Sequence, residues 1–207
     1  MKRRIMASHL SNLTRLCLAA AILVFNFGAP VAAQEWTTIN KDYSSQRYVD
    51  LDQITPQNVS GLKESCEFQL NEAAWFSSGL LMVDRTIYVD TMRATYAVDA
   101  TTCELRWRTV LKFGVPANIS NRGPAYLDGT IFRGTVDGRV VALDAKTGNI
   151  LWDEQYADPK IGESFVAAPI AWKGKVFIGI SISDLGIHGR MLAIDAKTGK
   201  EVWRFYT

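Results

Sequence analysis

The chain has 207 residues, 48% of them apolar and 21% charged, a balance that supports a buried core and excludes a disordered or low-complexity protein. Its formal charge of +2 comes from the amino terminus: Lys2, Arg3, Arg4 and Arg15 fall in the first 33 residues with no acid among them, and the remainder holds 19 basic against 21 acidic residues. That remainder is nearly neutral and has no basic stripe interleaved with aromatics, which argues against nucleic acid as a partner.

Residues 1–33 read as a secretory signal. A basic start is followed by an apolar run from Leu16 to Phe25, then Gly28 and Pro30, then Val31-Ala32-Ala33 as a small-residue cleavage site before Gln34. The apolar run is shorter than the roughly 20 residues that cross a bilayer, so no stable membrane span is expected after signal removal. Arg15, two places before Cys17, argues against a lipidated cysteine. Residues 34–207 are therefore expected to be a periplasmic product, and export places Cys66 and Cys103 where a disulfide persists. Neither cysteine has a His or Cys at ligand spacing nearby, so the pair does not read as a metal site.

Next comes a repeat. Ala97-Val98-Asp99-Ala100-Thr101-Thr102-Cys103-Glu104-Leu105-Arg106-Trp107 recurs as Ala142-Leu143-Asp144-Ala145-Lys146-Thr147-Gly148-Asn149-Ile150-Leu151-Trp152, and again as Ala193-Ile194-Asp195-Ala196-Lys197-Thr198-Gly199-Lys200-Glu201-Val202-Trp203. The tryptophans are 45 and 51 residues apart, a period that signals one supersecondary unit per repeat. In the second unit the pattern predicts strands over 125–127, 130–134, 139–144 and 149–152, with turns at Asp128-Gly129, Asp137-Gly138 and Lys146-Thr147-Gly148. No segment after residue 33 keeps a helical period, so the expected class is all-β. The units are read as four-stranded antiparallel blades of a β-propeller. Trp107, Trp152 and Trp203 are expected to fill the gaps between blades and to place their indole N–H groups on backbone carbonyls.

Cys103 stands where the other repeats have glycine, at a turn position that favours positive φ. A Cys66–Cys103 disulfide, stapling the segment before the first blade to that blade's last turn, would offset the cost with about 3 kcal/mol. Three blades are visible where a closed propeller has at least four. Residues 34–207 are thus expected to be the N-terminal part of a larger ring.

With these repeats, the lead-in Leu51-Asp52-Gln53-Ile54-Thr55-Pro56-Gln57-Asn58-Val59, the loop Asn121-Arg122-Gly123 and the closing Gly199-Lys200-Glu201-Val202-Trp203-Arg204-Phe205-Tyr206-Thr207, the chain resembles the pyrroloquinoline-quinone (PQQ) dependent alcohol dehydrogenases. That resemblance implies an eight-bladed quinoprotein propeller, PQQ and Ca²⁺ as cofactors, and an alcohol oxidised to an aldehyde or ketone. Electrons would pass to an acceptor such as cytochrome c or ubiquinone. PQQ is a planar tricarboxylate quinone, so its site needs cations aimed at carboxylates, and Arg122 matches the family's cofactor-binding arginine. Ser77, Ser181 and Ser183 fall at further cofactor positions. Asp184, in Ser181-Ile182-Ser183-Asp184-Leu185-Gly186-Ile187-His188-Gly189-Arg190, falls where the family has its calcium-binding glutamate. The swap keeps a carboxylate for a cation that takes oxygen ligands in a flexible shell.

Several positions depart from the family. Ser77 stands for a glutamate, Pro116-Ala117 for an adjacent-cysteine pair, Val166 for a cofactor-contacting threonine, and His188 for the loop arginine. The resemblance implies that the catalytic base and the remaining metal ligands lie beyond the family region this chain matches, so no catalytic residue is assigned here. The 207-residue chain alone is expected to be inactive. A different class stays open beside the dehydrogenase: a cofactor-free propeller scaffold of the outer-membrane assembly-factor type, which shares this style of repeat.

Overall fold

The computed structural model describes residues 35–72, 76–114, 120–181 and 186–207. They belong to one compact unit, residues 33–207. The expected signal segment, Pro116-Ala117, Ser183 and Asp184 lie outside the described residues.

Among the described residues, twelve strands form three four-stranded antiparallel sheets, each a simple meander. The first blade holds β1 (Leu81–Val83), β2 (Thr86–Asp90), β3 (Ala94–Asp99) and β4 (Leu105–Val110). The second holds β5 (Ala125–Leu127), β6 (Thr130–Gly134), β7 (Arg139–Asp144) and β8 (Ile150–Gln155). The third holds β9 (Ile170–Trp172), β10 (Lys175–Gly179), β11 (Arg190–Asp195) and β12 (Glu201–Tyr206). β5 neighbours β9, so short first strands lie innermost, and β4, β8 and β12 run along the exposed outside.

Three of the four strands predicted for the second blade match, and the fourth starts one residue later and runs to Gln155. The start shifts because the carbonyl of Asn149 is taken by the N–H of Asp144 at 2.8 Å, which keeps Asn149 in the turn. The end shifts because Gln155 pairs with Arg139 at the far end of β7.

Local chemistry dictates both turn types. The first hairpin of the second blade needs two consecutive left-handed residues, met by Asp128 (φ 47°) and Gly129 (φ 79°). In the Asp-Ala-x-Thr-Gly turn, Asp144 Oδ1 accepts from the N–H groups of Lys146 (3.0 Å) and Thr147 (2.8 Å) and from the Thr147 hydroxyl (2.8 Å). Asp195 does the same with Lys197 and Thr198. These donors favour the ionised carboxylate and hold both aspartates below the usual carboxylate range.

The tryptophans join the blades. Trp107 Nε1 donates to the carbonyl of Ala145, and Trp152 Nε1 to that of Ala196, each at 2.9 Å. Each ring lies against the glycine three residues further on: a Cβ on Gly148 would sit 2.5 Å from Trp107, and one on Gly199 would sit 3.0 Å from Trp152. A bulge precedes each tryptophan's partner strand position, at Ala97/Val98, Ala142/Leu143 and Ala193/Ile194, and strengthens the local twist there. Around these docks, Tyr88, Ala97, Leu111, Val141 and Leu143 fill the first joint, and Phe132, Val140, Leu192 and Ile194 the second.

The amino-terminal segment crosses the inner strands. Trp36 exchanges backbone hydrogen bonds with Met82 of β1, and the Tyr43 hydroxyl donates to the carbonyl of Ala171 in β9. Further on, residues 66–72 run extended along the open flank of the first blade, and a disulfide joins Cys66 to Cys103 with a Cα–Cα distance of 5.8 Å. Cys103 has φ 58°, close to the 73° of Gly148 and 72° of Gly199.

Candidate functional site

The segments leading into the three inner strands meet at one end of the sheets and are stitched together through their backbones. The N–H of Gly79 donates to the carbonyl of Arg122, and the N–H of Arg122 donates to the carbonyl of Val166, each at 2.9 Å. Side chains extend this ladder at both ends. The Ser77 hydroxyl donates to the carbonyl of Asn121 at 3.1 Å, and the Ser181 hydroxyl accepts from the N–H of Val166 at 2.9 Å. Ser77, Arg122 and Ser181, 104 positions apart in sequence at their extremes, therefore share one continuous feature.

Asn121-Arg122-Gly123 has a physical logic. Asn121 is buried, donates through Nδ2 to the carbonyl of Gly134 (2.9 Å) and accepts the N–H of Gly123 (2.8 Å), which fixes the loop to β6. Gly123 has φ 116°, and a Cβ there would lie 2.7 Å from the carbonyl oxygen of Gly79. With an anchor before it and a residue of that freedom after it, Arg122 is turned outward. Its side chain is exposed and its guanidinium makes no hydrogen bond or ion pair with another described residue. Four other arginines of the blades are ion-paired: Arg106 to Asp99, Arg108 to Glu72, Arg139 to Asp137 and Asp153, Arg204 to Glu201, whereas Arg93 lies over the Phe113 ring.

Two buried ion pairs, which the sequence reading missed, support this end. Asp90 ends β2 and Arg133 lies in β6; both side chains are fully buried, 3.6 Å apart. Asp90 Oδ1 accepts from Thr95 at 2.6 Å, and Arg133 donates to Thr95 Oγ1 (3.0 Å) and to the carbonyls of Thr91 (2.8 Å) and Met92 (3.2 Å). Burial pushes the Asp90 carboxyl up, against the pull of the Arg133 charge. The N–H of Asp90 donates to the Ser78 hydroxyl at 3.2 Å, which in turn donates to the carbonyl of Gly79 at 2.8 Å, so the pair is bonded to the ladder. The second pair, Glu163–Arg190, sits at the start of β11: Arg190 donates to both Glu163 carboxylate oxygens and to the carbonyl of Tyr156. The signal for the first pair was present in the sequence, as an arginine inside the apolar run Ile131-Phe132-Arg133 and an aspartate ending Ile87-Tyr88-Val89-Asp90.

His188 is exposed and its ring faces Tyr206 with 5.2 Å between centroids. Val166 is buried and contributes only its backbone to the ladder. Among the described residues, no three of His, Cys, Asp or Glu gather into a metal-binding group, and Ser183 and Asp184 lie outside those residues.

The sequence pattern of the family described as PQQ, glucose/ethanol/alcohol dehydrogenase, β-propeller domain, matches residues 36–207. The chain belongs to this family. It is 36% identical over 183 residues to the lanthanide-dependent methanol dehydrogenase of Methylacidiphilum fumariolicum, covering 84% of this chain and 30% of that protein. Over 214 residues it is 36% identical to the quinohemoprotein alcohol dehydrogenase ADH IIB of Pseudomonas putida, covering 95% of this chain and 31% of the relative. A solved europium-containing methanol dehydrogenase superposes with a TM-score of 0.79 at 35% identity, over 84% of this chain and 32% of that one. The chain thus spans about 30% of the length of the curated relatives it matches.

Within the PQQ family frame, the geometry fits an anionic planar group. A guanidinium with no ion pair to another described residue is presented by the ladder beside the exposed Ser77, and carboxylates pair with such a fork in bidentate geometry. Ser77 adds no negative charge beside Arg122.

Proposed function

We propose that this chain is the N-terminal part of a periplasmic PQQ-dependent alcohol dehydrogenase that uses calcium or a related hard cation. Its substrate is an alcohol, and its electrons leave to a cytochrome c or ubiquinone. The observation that carries the reading is Arg122, exposed and with no ion pair to another described residue, at the point where three lead-in segments meet. A cofactor-free scaffold has no need of an uncommitted cation on so constrained a backbone.

When bound, the quinone supplies the acceptor that takes up the two electrons leaving the alcohol as it becomes a carbonyl. The chain's own residues bind and orient. Arg122 pairs with a carboxylate of the cofactor, Ser77 and Ser181 offer hydroxyls along the same edge, and Ser183 and Asp184 follow Ser181 in sequence, with Asp184 as a metal ligand. The general base falls in the portion of the relatives that this chain does not span, so the 207-residue chain by itself is expected not to reduce a phenazine dye with PQQ, Ca²⁺ and an alcohol supplied.

The reading is tested by titrating the chain with PQQ in the presence of Ca²⁺ and following quenching of tryptophan fluorescence. Saturable binding that weakens at least about tenfold in Arg122→Ala, with an unchanged melting temperature, is the expected result. Equal titration curves for the two proteins would remove Arg122 from the site and return the chain to the scaffold class.

A further inference from the structure

The joints between blades are built alike, with one exception. A residue of the outermost strand reaches the Asp-Ala-x-Thr-Gly turn of the next blade: Trp107 meets Gly148 and Trp152 meets Gly199. Two and four residues later the same strands touch that blade again. Thr109 donates to the carbonyl of Gly148 at 2.6 Å, and Leu111 is buried in the first joint. Tyr156, four residues after Trp152, donates to the carbonyl of Gly199.

On the open flank of the first blade, residues 66–72 repeat this pattern. Cys66, Phe68, Leu70 and Glu72 are partly buried while Glu67, Gln69 and Asn71 are exposed, an alternation of period two that marks a strand with one covered face. Phe68 meets Tyr96 edge-on at 6.0 Å, Phe68 and Leu70 pack with Val89, Tyr96 and Val98, and the Tyr96 hydroxyl donates to the carbonyl of Leu70 at 2.7 Å. Cys66 reaches Cys103, which occupies the glycine position of the turn: its N–H donates to the carbonyl of Asp99 at 3.0 Å, as Gly148 does to Asp144 and Gly199 to Asp195. Cys66 thus holds the place of the tryptophan, and Cys103 the place of the glycine.

We propose that the Cys66–Cys103 bridge is a covalent substitute for the indole–glycine dock, and that it makes the strap 66–72 a redox-dependent clasp on the first blade. The substitution is coupled by sterics. An indole needs a glycine beneath it, since a Cβ on Gly148 would meet Trp107 at 2.5 Å, whereas a bridge needs a side chain at both places. Neither exchange is tolerated alone. Reduction by a dithiol transfers two electrons and two protons to the bridge, the dithiol becoming a cyclic disulfide. Two thiols are left that provide neither the indole hydrogen bond nor its packing area. The strap, which makes no backbone–backbone hydrogen bond to another described residue, then loses the covalent contact that fixes its place, and Val89, Tyr96 and Val98 become exposed. None of this depends on a bound cofactor.

The test is limited proteolysis of the whole chain at Glu64 and Glu67 by a glutamate-specific protease, read by mass spectrometry. Oxidised protein is expected to resist, and protein reduced with dithiothreitol is expected to be cut at these two sites about tenfold faster. The double variant Cys66→Trp/Cys103→Gly is expected to resist cleavage and to be indifferent to dithiothreitol, while Cys66→Trp alone is cut as fast as the reduced protein. Equal cleavage of oxidised and reduced wild-type protein overturns the clasp, and that comparison needs no variant to fold. A double variant that folds but is cut like the reduced protein overturns the equivalence with the indole dock.

Discussion

The indole N–H of Trp152 donates to the carbonyl of Ala196 at 2.9 Å, from the outermost strand of one blade into the last turn of the next. The ring is 9% exposed, whereas Trp203, at the same position of the third blade, is 42% exposed. No sheet among the described residues follows the third to cover Trp203, so the two rings contribute differently to the stability of this chain. Trp152→Ala is expected to destabilise the chain by about 3–5 kcal/mol, combining lost area with a cavity between blades. Trp152→Phe should cost about 1–2 kcal/mol, since it leaves the Ala196 carbonyl without its donor. Trp203→Ala should cost less than about 1 kcal/mol. Denaturant unfolding of the three variants checks the order.

Two glycines with nearly the same backbone separate conformational from steric requirements. Gly129 has φ 79° with open space where a Cβ would go, and Gly148 has φ 73° with Trp107 and Thr109 in that space. Gly129→Ala is expected to cost about 1 kcal/mol, the price of a left-handed alanine. Gly148→Ala should cost at least about 2 kcal/mol more, because the Trp107 dock must open. Equal losses in thermal melts would mean that the ring is not held where the structure has it.

The fold was legible because its signals are local. Asp144 with Thr147 and Gly148 specifies a turn through bonds within four residues, Asp128-Gly129 specifies a hairpin, and their spacing at a blade period leaves little freedom. The site was legible only in part. Asn121-Arg122-Gly123 carries its own anchor and its own flexible residue, so the outward arginine follows from three letters. The ladder from Ser77 to Ser181 does not, because its bonds are between backbones brought together by the packing of three sheets. The pairing of Asp90 with Arg133 was not legible for the same reason: each shows in the sequence as an odd charge in an apolar strand, and only the joint between blades makes them a pair.

That pair has a testable pH signature. Burial holds the Asp90 carboxyl above its ordinary value, and a guanidinium does not give up its proton in a protein. Arg133→Leu leaves the buried Asp90 carboxylate without its charge partner, which should cost about 3–5 kcal/mol near pH 7. A raised carboxyl contributes stability below its unfolded value of 3.8 and loses it as pH rises through the folded value. The deficit of Arg133→Leu should therefore shrink on acidification, as Asp90 takes up a proton and becomes cheaper to bury. The double variant Asp90→Asn/Arg133→Leu should recover part of the loss at pH 7 and lose this pH dependence. Melting temperatures at pH 5 and pH 7.5 check both statements.

Glu163 has the opposite sign. Hydrogen bonds from Arg190 hold its carboxyl below the ordinary 4.5, with burial working the other way and the N–H of Asp158 adding to the Arg190 effect. The unfolded chain therefore takes up this proton at a higher pH than the folded chain does. The stabilisation is fully present above the unfolded value and disappears as pH falls through the folded one. Glu163→Gln keeps the shape and removes the charge, and should cost about 2 kcal/mol at neutral pH. The gap between wild type and variant is expected to be flat from about pH 8 to about pH 6 and to close on further acidification. Because Arg190 opens β11, loosening the pair should also speed hydrogen exchange in the first residues of β11, with little change in β7. A gap that widens on acidification would mean that Glu163 is held protonated, and that its bonds to Arg190 are not what fixes the start of β11.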